Sequence, residues 1–158
     1  MKNLACALSL VLSSVCTAHA ESTDKPISVL KWFNGCAHLS QPENGMTMDT
    51  NCVSTAVEYC TIGRVEEDRV QCLVELSEHV GGIWKEIESN LPESIGGSGW
   101  VARNYERKYL RLVQEEFDVC DASPREEIPS DTWCKMYLNA GGWVEWRHLQ
   151  RLADEVAK

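Results

Sequence analysis

Beyond residue 20 the chain has no apolar run long enough to cross a bilayer, no low-complexity segment and no Asn-x-Ser/Thr sequon. A spanning helix needs about 20 apolar residues, so no membrane span is expected, and the missing sequon excludes N-linked glycosylation. Cationic side chains are in deficit, with 15 Lys and Arg against 24 Asp and Glu. Such a balance repels nucleic acid and anionic lipid and favours a cationic partner. Cysteine pairs at metal-ligand spacing are missing too. The gaps between successive cysteines from Cys36 onward are 15, 7, 11, 47 and 13 residues, whereas structural zinc sites favour ligands two to four apart. No metal or cofactor is expected.

Catalytic patterns are equally scarce. In GGSGW, residues 96 to 100, the position two after Ser98 is Trp100, so the glycine of a nucleophile elbow is absent. Gly97, Gly99 and Ala102 fit a G-x-G-x-x-A spacing, but no strand signal precedes them. The acids are scattered over helix faces and form no evident pair. The chain is therefore not expected to be an enzyme.

What is present begins at the N-terminus. Met1-Lys2 is a basic start, Leu4 to Val15 is apolar, and Ala18-His19-Ala20 offers the small-residue pattern read by a signal peptidase. Residues 1–20 are expected to be a cleaved signal peptide, which makes the protein periplasmic or secreted. Loss of Lys2 takes the formal charge from −9 to −10. Loss of Cys6 and Cys16 leaves Cys36, Cys52, Cys60, Cys72, Cys120 and Cys134. An even number in an exported chain points to disulfides, and six cysteines allow 15 connectivities. No thiol is then left for His38, His79 or His148 to activate.

Periodicity favours helices. From Val65 to Ser89, Leu73, Leu76, Val80, Ile83 and Ile87 recur at steps of three and four, the spacing of one helical face. Pro92 ends that pattern, and ESIGGSG, residues 93 to 99, reads as a flexible loop. Val101, Tyr105, Tyr109, Leu112, Val113, Phe117 and Cys120 mark a second run. The fold expected is an all-α, disulfide-stapled bundle built around a long antiparallel helical hairpin, occupying residues 50–158. A shorter helix from Asn51 would be capped by Asp49 or Thr50. Ser130 would cap another through Leu138, ended by Gly141-Gly142 before a last helix carrying Trp143, Trp146, Leu149 and Leu152. Residues 21–49, with Pro26, Pro42 and Asn44-Gly45, read as mostly irregular. Gly81-Gly82 inside the first long helix marks a kink or a close helix crossing.

The hairpin makes a claim about the cysteines. Cys72 lies 17 residues before Ser89 and Cys120 lies 19 after Val101. At about 1.5 Å per residue both stand roughly 26 to 29 Å from the loop, which predicts Cys72–Cys120. Cys60 then pairs with Cys134 and Cys36 with Cys52. Most of the six tryptophans are expected to anchor the core. Trp100, at the end of a glycine-rich loop, is the candidate for an exposed one. The candidate contact surface is the 93–100 loop with Glu93, Ser94, Ser98 and Trp100, and an acidic surrounding is expected for it.

Cys60, eleven residues, Cys72, a helical hairpin, then Cys120 and Cys134 resembles the layout of the small exported domain of the lysozyme inhibitor LprI family. The similar part runs from about residue 50 to 152, and Glu66 and the charged helix before Cys120 belong to it. The resemblance implies a periplasmic inhibitor of a lysozyme-type cell-wall hydrolase, a cationic protein partner. Other roles open to such a chain are an immunity protein against a cell-wall-degrading toxin, a glycan-binding module, and a structural envelope protein.

Overall fold

Helical periodicity marks helices in the structure, and some of their ends have a local cause. The structure, a computed structural model, describes residues 28–40, 42–62, 64–114, 120 and 125–157. The expected signal peptide, Pro26 and Phe117 lie outside the described residues. Helix α1, Val29–Leu39, starts where the Ser28 side chain accepts a hydrogen bond from the Lys31 amide at 3.2 Å. A short 3₁₀ turn, Pro42–Asn44, leads into α2, Gly45–Thr61. Helix α3, Glu66–Asn90, opens with Glu66, Glu67 and Asp68, which the positive end of the helix dipole favours. It stops at the extended residue before Pro92, as that proline demands. Helices α4, Trp100–Gln114, and α5, Ser130–Val156, complete the bundle, and no strand occurs among the described residues. The fold is an all-α bundle with three disulfides.

Helix α5 is the axis of the packing. It touches α2, α3 and α4, and its Trp143, Trp146 and Leu149 have no exposed surface. Phe33 of α1 meets Trp143 with ring centroids 4.8 Å apart, and Tyr109 of α4 meets Trp146 edge-on at 5.8 Å. Leu73, Leu76 and Val80 complete the centre from α3. Contacts climb together along α3 and α5, from Glu78 with Lys135, through Gly81 with Asn139, to Trp84 with Gly142. These two long helices therefore run parallel. Helix α4 runs antiparallel to α5, since Tyr109 meets Trp146 while Leu112 and Val113, further along α4, line a groove with Leu138 and Asn139, earlier in α5.

This arrangement corrects the cysteine pairing. The disulfides are Cys36–Cys52, as expected, and Cys60–Cys72 and Cys120–Cys134 instead of Cys72–Cys120 and Cys60–Cys134. Levelling Cys72 with Cys120 requires α3 and α4 to lie side by side, but the principal partner of both is α5. Cys60 sits in the last turn of α2 and Cys72 in the second turn of α3, so the tight corner between those helices brings the two together.

Three boundaries also differ from expectation. Residues 21–49 are not mostly irregular where they are described, because Phe33 and Ala37, one turn apart, bury the face of α1. Asp49 is no cap but lies inside α2 without exposed surface, and Thr50 bonds back to the Met46 carbonyl at 2.9 Å. Gly141-Gly142 does not break α5, which continues to Val156. A Cβ on Gly142 would stand 3.2 Å from the Trp84 ring, and one on Gly81 would stand 2.9 Å from the Asn139 amide. Gly81 and Gly142, one glycine of each pair, therefore mark a close crossing of α3 and α5, one of the two expectations for Gly81-Gly82.

Candidate functional site

The connection between α3 and α4 carries the candidate contact residues, and it is fastened to the helix it precedes. The Tyr105 hydroxyl donates to the Pro92 carbonyl. Ser94 Oγ donates to Glu106 Oε1 at 2.6 Å and accepts from the Gly96 amide at 3.3 Å. Gly96 and Gly97 then turn with φ of +71° and +83°, left-handed values that glycine adopts without a Cβ clash. The Arg103 guanidinium donates to the Ser98 carbonyl, and the Arg103 amide donates to the Gly99 carbonyl at 3.2 Å. Leu91 and Ile95 pack against the core. Glycine content alone predicts a flexible loop, but these ties hold it in one shape.

Glu93, Ser94 and Ser98 on this connection, and Trp100 at the first position of α4, are all exposed. Trp100 is 67% exposed, in contrast to buried Trp143 and Trp146 and half-buried Trp32, Trp84 and Trp133. The charge beside it differs from expectation. Steps of three and four from Trp100 lead to Arg103, Arg107 and Leu110, all exposed, while Ala102, Tyr105 and Leu112 turn inward. Of the acids close to the loop, Glu93 is exposed, Glu106 holds Ser94, and Asp154 of α5 lines a pocket with Ser94 and Ile95, away from Trp100. Trp100 therefore begins a basic helix face in an acidic chain. The signal was present in the sequence, but reading α4 for its apolar face alone passed over it.

Burial pushes the Tyr105 phenol up to about 12, with the neighbouring Tyr109 adding to the effect. The three histidines form no site with a thiol, because Cys36, Cys52, Cys60, Cys72, Cys120 and Cys134 are all in disulfides. His79 instead bonds Asn34 at 2.7 Å, and burial lowers the pKa of His148. Among the described residues no group of His, Cys, Asp or Glu is arranged to hold a metal ion.

A second feature outside the loop was not anticipated. Asp49 on α2 bonds Arg147 at 3.2 Å and Arg151 at 2.5 Å, both on α5. Arg147 also reaches the Ala37 carbonyl and Arg151 the Ser40 hydroxyl, which ties down the end of α1. Gly45 leaves room for the Arg151 guanidinium, which a Cβ there would strike. Every group in this cluster is engaged, and it reads as a structural clamp. An open groove of about 640 Å³ runs between α3, α4 and α5 beside Trp84, Leu112, Val113 and Asn139. At its floor the Trp84 indole N–H donates to Asn139 Oδ1 at 3.2 Å.

No protein-family model, curated protein or solved structure matches the chain.

Proposed function

We propose that the protein is an exported, non-enzymatic binding protein whose role is to inhibit a cell-wall hydrolase of the lysozyme type. The observation that carries the reading is Trp100, a large aromatic side chain left 67% exposed on a connection fixed by its own hydrogen bonds. Aromatic anchors dominate binding hot spots, and a preorganised loop loses less entropy on docking than a free one. The disulfides fit an oxidising compartment, and the expected signal peptide would deliver the chain there. The layout resemblance to the LprI family points the same way.

Charge supports the reading at two ranges. The formal net charge of −9 draws a cationic hydrolase towards the molecule. At contact, Arg103 and Arg107 beside Trp100 suit a glycosidase cleft, which holds a pair of carboxylates. The decisive experiment is a kinetic binding and inhibition assay against a cationic lysozyme at two ionic strengths. Association should slow as salt is added. Trp100→Ala should leave the approach rate unchanged and raise the dissociation rate, costing about 2 kcal/mol. Absence of binding at both ionic strengths defeats the reading for that enzyme, and parent-like binding by Trp100→Ala removes the loop from the interface.

A further inference from the structure

The outward face of α4 is basic and apolar where the rest of the chain is acidic. Trp100, Arg103, Arg107 and Leu110 follow one another at steps of three, four and three residues, which aligns them along one side of a helix. Trp100 and Leu110 are 67% and 59% exposed, and Arg103 and Arg107 are exposed between them. Glu106 borders the stripe, three residues after Arg103 and four before Leu110, and its carboxylate accepts the Ser94 hydroxyl. Lys108 turns away to Glu145 of α5, 2.6 Å distant. Helix α4 has α5 as its principal neighbour, so it forms an outer ridge of the bundle, with this stripe turned away from the other helices.

We infer that this face docks on an anionic phospholipid surface, with α4 lying in the plane of the head groups. Arginines on a helix that also presents tryptophan and leucine are the composition of an interfacial helix. Tryptophan in particular settles at the level of the head groups. Net charge alone predicts repulsion from anionic lipid. That repulsion is screened beyond about 10 Å at 0.1 M salt, whereas Arg103 and Arg107 would meet the phosphates directly. The acidic surfaces on other helices then orient the molecule with α4 towards the bilayer. The inference does not depend on the hydrolase reading.

Co-sedimentation of the oxidised protein with phosphatidylglycerol vesicles and with phosphatidylcholine vesicles tests it. Binding to the anionic vesicles alone, weakening with salt, is expected, with the Trp100 emission shifting to the blue. Arg103→Ala and Arg107→Ala should each lower the partition coefficient about fivefold, the effect of one cation at an anionic surface. Because Arg103 also holds Ser98, Arg107→Ala is the cleaner variant, and circular dichroism confirms that each is folded. Trp100→Phe should abolish the emission shift. Equal binding to both vesicle types, or parent-like binding by Arg107→Ala, overturns the inference. Binding to soluble polyglutamate without binding to vesicles also overturns it, by assigning the face to an acidic macromolecule.

Discussion

Gly81 of α3 and Asn139 of α5 share one space, since a Cβ on Gly81 would stand 2.9 Å from both the Nδ2 and the Oδ1 of that amide. Asn139 fills the crossing with hydrogen bonds. Its Nδ2 donates to the Ser77 carbonyl at 3.0 Å and to the Ser77 hydroxyl at 2.9 Å, and its Oδ1 accepts from the Trp84 indole. Gly81→Ala would displace the amide from all three. Each buried polar group left unpaired costs about 1 to 3 kcal/mol, more than the roughly 1 kcal/mol that alanine gains over glycine in a helix. Gly82, the next residue, has nothing near its missing Cβ. Urea unfolding should therefore find Gly81→Ala less stable than the parent and Gly82→Ala more stable by up to about 1 kcal/mol. Equal shifts for both would mean that the crossing is not close.

Asp49 carries the heaviest electrostatic obligation in the fold. It has no exposed surface and lies between the largely buried guanidinium groups of Arg147 and Arg151. Removal of one member of a buried ion cluster leaves the other charges unpaired and costs about 3 to 5 kcal/mol. Asp49→Ala should lower the denaturation midpoint accordingly without changing the slope of the transition. A loss under about 1 kcal/mol would mean that water replaces the carboxylate at little cost.

The disulfides should respond to reductant in an order set by access. Cys60 and Cys72 are buried, whereas Cys120 and Cys134 are both partly exposed. A thiolate must reach a sulfur to exchange with it. Limited reduction followed by alkylation and peptide mapping should thus label Cys120 and Cys134 before Cys60 and Cys72. The three bridges span similar separations of 16, 12 and 14 residues. Loops of that size are worth about 3 kcal/mol each in the chain-entropy account. Loss of any one should therefore be comparable. A map linking Cys72 to Cys120 would reinstate the α3–α4 register.

Helix content was legible because it depends on local spacing. Leu73, Leu76, Val80 and Ile87 recur at helical steps, and all four are buried. Trp100 was legible for the same kind of reason, since a short glycine-rich connection offers little to cover an indole. What could not be read are facts about neighbours. Gly141-Gly142 looks like a break until Trp84 is known to pack against it. The disulfide register failed because nothing local says that α5, and not α4, lies along α3. Asp49 and Arg147 are 98 positions apart, and an acid near an expected helix start is more simply read as a cap. The prolines of the N-terminal segment suggested irregular chain. Pro42 in fact opens the 3₁₀ turn before α2, outside α1.

Tyr105 links the loop to the titration of the fold. Its ring has no exposed surface, its hydroxyl donates to the Pro92 carbonyl, and its pKa is raised from 10.0 to about 12, mainly by burial. In the unfolded chain the phenol loses its proton near pH 10, while in the folded protein it keeps it until about pH 12. Between those values the unfolded state binds fewer protons, so stability falls as pH rises. The contribution is fully present below pH 10 and is lost as pH rises through the folded value. Ultraviolet titration of tyrosinate should accordingly show one phenol ionising late, close to the onset of alkaline unfolding. Tyr105→Phe should remove that late step and flatten the decline in stability above pH 10. It also removes the hydrogen bond to Pro92, so hydrogen exchange should quicken at Gly96 while the amides of α3 stay protected. A full tyrosinate signal near pH 10 in the folded protein would show that Tyr105 is open to solvent and that the loop is not held by it.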